Sequence, residues 1–145
     1  MHNYKGSMRY ASGERYEGDW MDNTKHGRGV QFDQAGDKYE GEWRRGFREG
    51  KGVFTSSSGE KYRGTFKEDS RSGEGTCLYI NGDRYEGMWR GGKRWGKGKM
   101  SYINGDVYQG KWENDSRHGK GLHQYKDGAV YEGEWGRIFA LGRAS

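Results

Sequence analysis

The sequence predicts an all-β fold: an elongated, single-layer antiparallel meander of tandem 23-residue β-hairpins. Three observations carry that prediction. Tyr16, Tyr39, Tyr62, Tyr85, Tyr108 and Tyr131 recur every 23 residues without slippage, and a fixed period of this length means a stacked array whose units touch only their neighbours. Each tyrosine opens a phrase such as Tyr16-Glu17-Gly18-Asp19-Trp20 or Tyr85-Glu86-Gly87-Met88-Trp89, where aromatics and glycine alternate with other residues at the period of a strand. Finally, 15% of the chain is aromatic although 32% is charged and mean hydropathy is -1.33. The polar balance alone would suit a disordered chain, but such chains are poor in tyrosine and tryptophan. Most of the 28 glycines recur in phase and proline is absent, so glycine marks structural positions. With 30% apolar residues a two-layer core is out of reach, and the rings are expected to be half buried.

Taken in order, the 145 residues read as one array. A half repeat occupies 1–15, where Gly6, Tyr10 and Gly13 match a second strand. Full repeats start at Tyr16, Tyr39, Tyr62, Tyr85 and Tyr108, and a partial repeat covers 131–145. Within a repeat the tyrosine phrase is the first strand. A longer loop follows and turns at Asn23, Gly46, Asp69, Gly92 or Asp115, all tolerant of the left-handed region. The second strand carries Gly27-Arg28-Gly29, Gly50-Lys51-Gly52, Gly73-Glu74-Gly75, Gly96-Lys97-Gly98 or Gly119-Lys120-Gly121. A tight type I′ turn closes the repeat at Asn81-Gly82, Asn104-Gly105 and Asp127-Gly128; Ser12-Gly13, Ala35-Gly36 and Ser58-Gly59 hold the same place.

Charge sets the expected register. Glu17 faces Arg28, Glu40 faces Lys51 and Glu86 faces Lys97, and the signs reverse together at Arg63 and Glu74, as cross-strand neighbours would. The same register puts Tyr16 opposite Gly29, Gly18 opposite Gly27, Thr65 opposite Ser72 and Met88 opposite Trp95, with Glu42 and Glu49 as a mismatch. One face then carries rings and glycines, the other charge pairs. The last strand, Tyr131 to Trp135, lacks its return. Ile138-Phe139-Ala140-Leu141 is expected either to cap that edge or to leave it open for edge-to-edge pairing with another copy.

No catalytic constellation, metal site or cofactor motif is expected. His26 and His118 stand four repeats apart, roughly 38 Å at about 4.8 Å per strand, too far to share a metal. Gly-x-Gly lies within strands with no helix after it, which removes the dinucleotide reading. The lone Cys77 has no disulfide partner in the chain and suits a reducing compartment. Met1-His2-Asn3-Tyr4-Lys5 is neither a signal peptide nor a myristoylation site, and no apolar run spans a membrane. The net charge of +5 comes from interspersed acids and bases and permits an acidic partner without demanding one.

Two periodic features are candidate binding surfaces. The aromatic ladder comprises Tyr16, Trp20, Tyr39, Trp43, Tyr62, Phe66, Tyr85, Trp89, Tyr108, Trp112, Tyr131 and Trp135, and is expected to line a partner-binding groove. A basic row, Lys25, Arg48, Arg71, Arg94 and Arg117, always two residues before the first glycine of Gly-x-Gly, is expected along one side of the array. Its residues would stand about 10 Å apart, a footprint for an acidic helix, an acidic tail or lipid head groups.

Tyr-x-Gly-x-Trp followed by Gly-x-Gly every 23 residues closely resembles the MORN (membrane occupation and recognition nexus) repeat over essentially the whole chain. The family's His-Gly-x-Gly is complete at His26–Gly29 and His118–Gly121; Glu49, Ser72 and Trp95 replace the histidine elsewhere, and Phe66 replaces one tryptophan. The resemblance implies a twisted hairpin sheet, a MORN solenoid, serving as a non-enzymatic protein-interaction scaffold that holds a peptide or helix in an aromatic groove. It implies a cytoplasmic setting with cytoskeletal or ciliary association. The alternative is a peripheral membrane adaptor using the basic row on anionic lipid. Nucleic acid is disfavoured, because Glu17, Glu40, Glu86 and Glu132 recur beside the rings and repel phosphate.

Overall fold

A computed structural model describes residues 3–135. These form twelve strands in a single antiparallel sheet whose spatial order is the sequence order. Second-type strands are β1 (Asn3–Arg9), β3 (Thr24–Phe32), β5 (Phe47–Thr55), β7 (Ser70–Leu78), β9 (Lys93–Ser101) and β11 (Ser116–Gln124). Tyrosine-phrase strands are β2 (Arg15–Met21), β4 (Lys38–Arg44), β6 (Lys61–Lys67), β8 (Arg84–Arg90), β10 (Val107–Glu113) and β12 (Val130–Trp135). The all-β meander is as the sequence predicts. The apolar tail 138–141 lies outside the described residues.

The expected register holds only next to the turn. Trp20 pairs with Lys25, but Gly18 pairs with Gly29 and Tyr16 with Gln31. Between them Asp19 on β2 stands against His26, Gly27 and Arg28 on β3, a bulge that repeats in β4–β5, β6–β7, β8–β9 and β10–β11. Gly27 reaches φ +105 there, a conformation open to glycine and costly for other residues. The Asp19 carboxylate accepts the Arg28 N–H at 2.9 Å. The Lys5 ammonium and then this N–H hold the Asp19 carboxyl below its usual range.

The bulge overturns the expected charge pairs. Glu17, Glu40, Arg63 and Glu86 face Val30, Val53, Thr76 and Lys99 across their hairpins, not Arg28, Lys51, Glu74 and Lys97. Thr65, Ser72, Met88 and Trp95 fall at the bulges rather than in regular pairs. Arg28 instead pairs with Glu42 of the next repeat, at 4.0 Å.

The two loops also exchange roles. Asp22 and Asn23 both have positive φ, as do Arg45 with Gly46, Glu68 with Asp69, Gly91 with Gly92 and Asn114 with Asp115. Each such pair closes a two-residue loop, the type I′ signature. At Asn81-Gly82 only the glycine is left-handed. There Gly82 N–H donates to the Tyr79 carbonyl at 2.9 Å and Tyr79 N–H to the Asp83 carbonyl at 2.9 Å, a turn followed by a glycine bulge. The loop expected to be long is the tight one.

The core sits on one face and is wholly aromatic along its spine. Tyr16, Trp43, Tyr39, Phe66, Tyr62, Trp89, Tyr85, Trp112, Tyr108 and Trp135 meet edge to face in an unbroken chain, with centroids 5.0–5.6 Å apart, geometry worth about 0.5–1.5 kcal/mol per pair beyond area burial. Each tyrosine lies across a glycine pair: a Cβ on Gly29 would come within 2.1 Å of the Tyr16 oxygen. The Tyr16 hydroxyl donates to the Asp19 carbonyl at 2.8 Å, and the Trp43 indole to the Gly29 carbonyl at 3.2 Å. The expectation of half-buried rings fails: Trp89 is 3% exposed and Tyr62 fully buried.

Candidate functional site

The basic row lies over the rings. Lys25, Arg48, Arg71, Arg94 and Arg117 pair across the hairpins with Trp20, Trp43, Phe66, Trp89 and Trp112, so they stand on the aromatic face, not along a separate side. Each cation bridges the tyrosine of its own repeat and the ring of the next. Arg71 lies 4.7 Å from Tyr62 and 5.2 Å from Trp89; Arg117 lies 4.2 Å from Tyr108 and 4.5 Å from Trp135. Such contacts contribute about 0.5–2 kcal/mol, more as water is excluded. The ladder and the basic row are thus one surface, rings below and cations above.

The three central guanidinium groups are also ion-paired. Arg48 reaches Asp69 at 3.3 Å, Arg71 reaches Glu60 at 2.7 Å and Arg94 reaches Asp115 at 3.2 Å. Asp69 and Asp115 sit in the type I′ turn of the following hairpin, so these pairs fasten consecutive repeats. Arg117 donates to the Tyr102 hydroxyl at 2.6 Å, and Lys25 donates to Gln31. Burial pulls the Lys25 ammonium below its usual pKa, opposed by Glu14 and Asp69.

A further row on this face escaped the sequence reading. Gln31, Phe54, Cys77, Met100 and His123 pair with the tyrosines across the strands. They recur every 23 residues, but their types change, so only the period could have revealed them. Cys77 is fully buried, and burial pushes its thiol up to about 11. His123, 7% exposed, contacts the Asp106 carboxylate at 3.0 Å. This bond first, then the Lys126 N–H, holds the Asp106 carboxyl below its usual range. His26 accepts the Arg45 N–H at 3.2 Å, and His118 contacts Glu113 at 3.1 Å. Among the described residues no three His, Cys, Asp or Glu side chains could hold a metal, and no helix is long and apolar enough to cross a membrane.

The face is closed in the later repeats and open in the first two. Tyr79 and Tyr102 fold against the core at the end of β7 and β9. The equivalent positions after β3 and β5 hold Asp33 and Ser56. Beside Asp33 lies a depression of about 290 Å³, lined also by Glu14, Lys25, Asp37, Tyr39, Trp43, Arg48, Phe54 and Asp69. Phe54 is half-buried between Arg48 at 5.9 Å and Arg71 at 6.0 Å.

Comparison with known proteins places this geometry. No curated protein matches. Among solved structures, the chain is similar to the TCP domain of SAS-4 (dCPAP) from Drosophila melanogaster, solved with a proline-rich motif of Ana2 (dSTIL). The identity is 13% and the TM-score 0.41, over 90% of each chain. The MORN repeat model matches residues 16–38, 39–61, 62–84, 85–107 and 108–130 in tandem; with five consecutive repeats over most of its length, the chain belongs to the MORN-repeat family.

Proposed function

We propose that the chain is a non-catalytic protein-interaction scaffold that grips a peptide or helix on its aromatic face. The observation that carries this is the opening where Asp33 stands in place of tyrosine. It offers a partner the half-buried Phe54 above the buried Tyr39 and Trp43, together with the Lys25 and Arg48 cations and a mostly polar lining that includes Glu14, Asp33, Asp37 and Asp69. The ladder acts as the rigid base under the groove, and the basic row as its polar grip. A cytoplasmic, cytoskeleton- or cilium-associated setting belongs to the same proposal and is tested by imaging a tagged chain. The anionic-lipid reading of the basic row is less well supported, because Glu60, Asp69 and Asp115 already neutralise its centre.

The test uses the chain's own later repeats. Peptides selected for binding from a displayed library are measured against Asp33→Tyr, which sets a ring over Arg48 as Tyr79 and Tyr102 stand over Arg94 and Arg117. Affinity is expected to fall about tenfold or more; Asp33 also accepts the Ala35 and Asp37 N–H groups, so Asp33→Ala, which loses the same bonds without filling the opening, is measured beside it and is expected to keep binding. Binders indifferent to Asp33→Tyr, or lost merely on raising salt, would sink the reading.

A further inference from the structure

On the face opposite the rings, one seam between repeats departs from all the others. Where a second strand meets the next tyrosine strand, two residue pairs recur on this face. They are Arg28↔Glu42 with Val30↔Glu40, Lys51↔Thr65 with Val53↔Arg63, Glu74↔Met88 with Thr76↔Glu86, and Lys120↔Glu134 with Leu122↔Glu132. Each of these combines opposite charges, or a charge with an uncharged side chain. At β9–β10 the same positions hold Lys97↔Lys111 and Lys99↔Gln109. Two ammonium groups directly opposite each other have Cβ atoms only about 5 Å apart and destabilise the sheet. Lys120 follows on β11, one strand beyond Lys111, and faces the same way.

All four lysines are exposed, and among the described residues none of their ammonium groups makes an ion pair. They surround a depression of about 550 Å³ whose floor is the paired backbone of Gly98 and Gly110. Repulsion that every other seam avoids, gathered around an open glycine floor, is a cost that a bound anion would relieve.

We infer that Lys97, Lys99, Lys111 and Lys120 form a second docking site, on the face opposite the groove, for a short acidic segment of a protein partner. Charge complementarity gives the sign of the occupant, and the surroundings give its size. Glu86 lines the same depression, and Glu74, Glu132 and Glu134 flank it on the neighbouring strands of this face. An anionic membrane plane or a nucleic-acid backbone would lie against those carboxylates as well. A segment with three or four closely spaced carboxylates spans three strands at about 4.8 Å each and reaches the four lysines while meeting only Glu86 of these carboxylates.

The experiment measures binding of a fluorescent oligoglutamate peptide to the full chain by anisotropy at low salt, beside phosphatidylserine vesicles and a single-stranded oligonucleotide. The key variant is Lys111→Glu, which restores at β9–β10 the opposite-charge pair found at Arg28 and Glu42. It is expected to raise the melting temperature and weaken peptide binding about tenfold or more, so misfolding cannot explain the loss. Lys51→Glu, at the place on β5 that Lys97 holds on β9, is expected to leave binding within about twofold. Absence of oligoglutamate binding by the parent chain overturns the site, as does unchanged binding by Lys111→Glu. Vesicle or oligonucleotide binding that depends on Lys111 while oligoglutamate fails overturns the choice of occupant.

Discussion

At the residue scale the fold depends on rings lying over bare backbone. A Cβ on Gly52 would come within 2.3 Å of the Tyr39 oxygen, in a strand with neighbours on both sides. Gly52→Ala is therefore expected to destabilise by about 2–3 kcal/mol through overpacking, measured by denaturant unfolding. The indole bond gives a gain in the other direction. Trp20, Trp43, Trp89 and Trp112 each donate to a glycine carbonyl fourteen residues earlier. Phe66 has no such donor for Gly52. Phe66→Trp is expected to stabilise by about 0.5–1.5 kcal/mol; a lower melting temperature would mean the slot is too narrow for an indole.

At the element scale the outcome of the hairpins shows what a period can and cannot reveal. Strand type, strand count and the aromatic face were legible, because Tyr, Gly and Trp alternate and recur. The bulge was not, because a residue count does not say that Asp19 stands against His26, Gly27 and Arg28. The matched signs at Arg63 and Glu74 suggested contact, yet Arg63 lies against Thr76 and Val53. A double-mutant cycle on Arg63→Glu and Glu74→Arg is accordingly expected to give a coupling near zero, within about 0.3 kcal/mol. The candidate site was legible in its rows and not in their superposition: only with the register known do Arg48 and Trp43 fall on one face. The turns misled because Asn-Gly suits more than one loop. Glu68, at φ 47, occupies the turn position that Asn114 fills in the last full repeat. Glu68→Asn is expected to stabilise by about 0.5–1 kcal/mol, since asparagine tolerates the left-handed region better.

At the scale of the whole molecule, the ladder couples the repeats and sets their response to alkali. Ring contacts, cation bridges and the Asp69 and Asp115 ion pairs all join one repeat to the next, so no hairpin keeps its core without a neighbour. Five buried tyrosines, Tyr16, Tyr39, Tyr62, Tyr85 and Tyr108, occupy the middle of that network, and burial pushes each hydroxyl up to about 12. In the unfolded chain the same groups ionise near 10. A group whose folded pKa lies above its unfolded value contributes stability that is fully present below the unfolded pKa. That contribution is lost as pH rises through the folded pKa. Stability is therefore expected to hold up to about pH 10 and to fall steeply between about 10 and 12, as the unfolded chain releases protons that the folded array retains. Tyrosinate absorbance and far-ultraviolet circular dichroism, followed together against pH, test this. The five ladder tyrosines are expected to ionise last and together with loss of the sheet signal; ionisation of all eleven tyrosines with the sheet signal intact would show that the ladder is open to water.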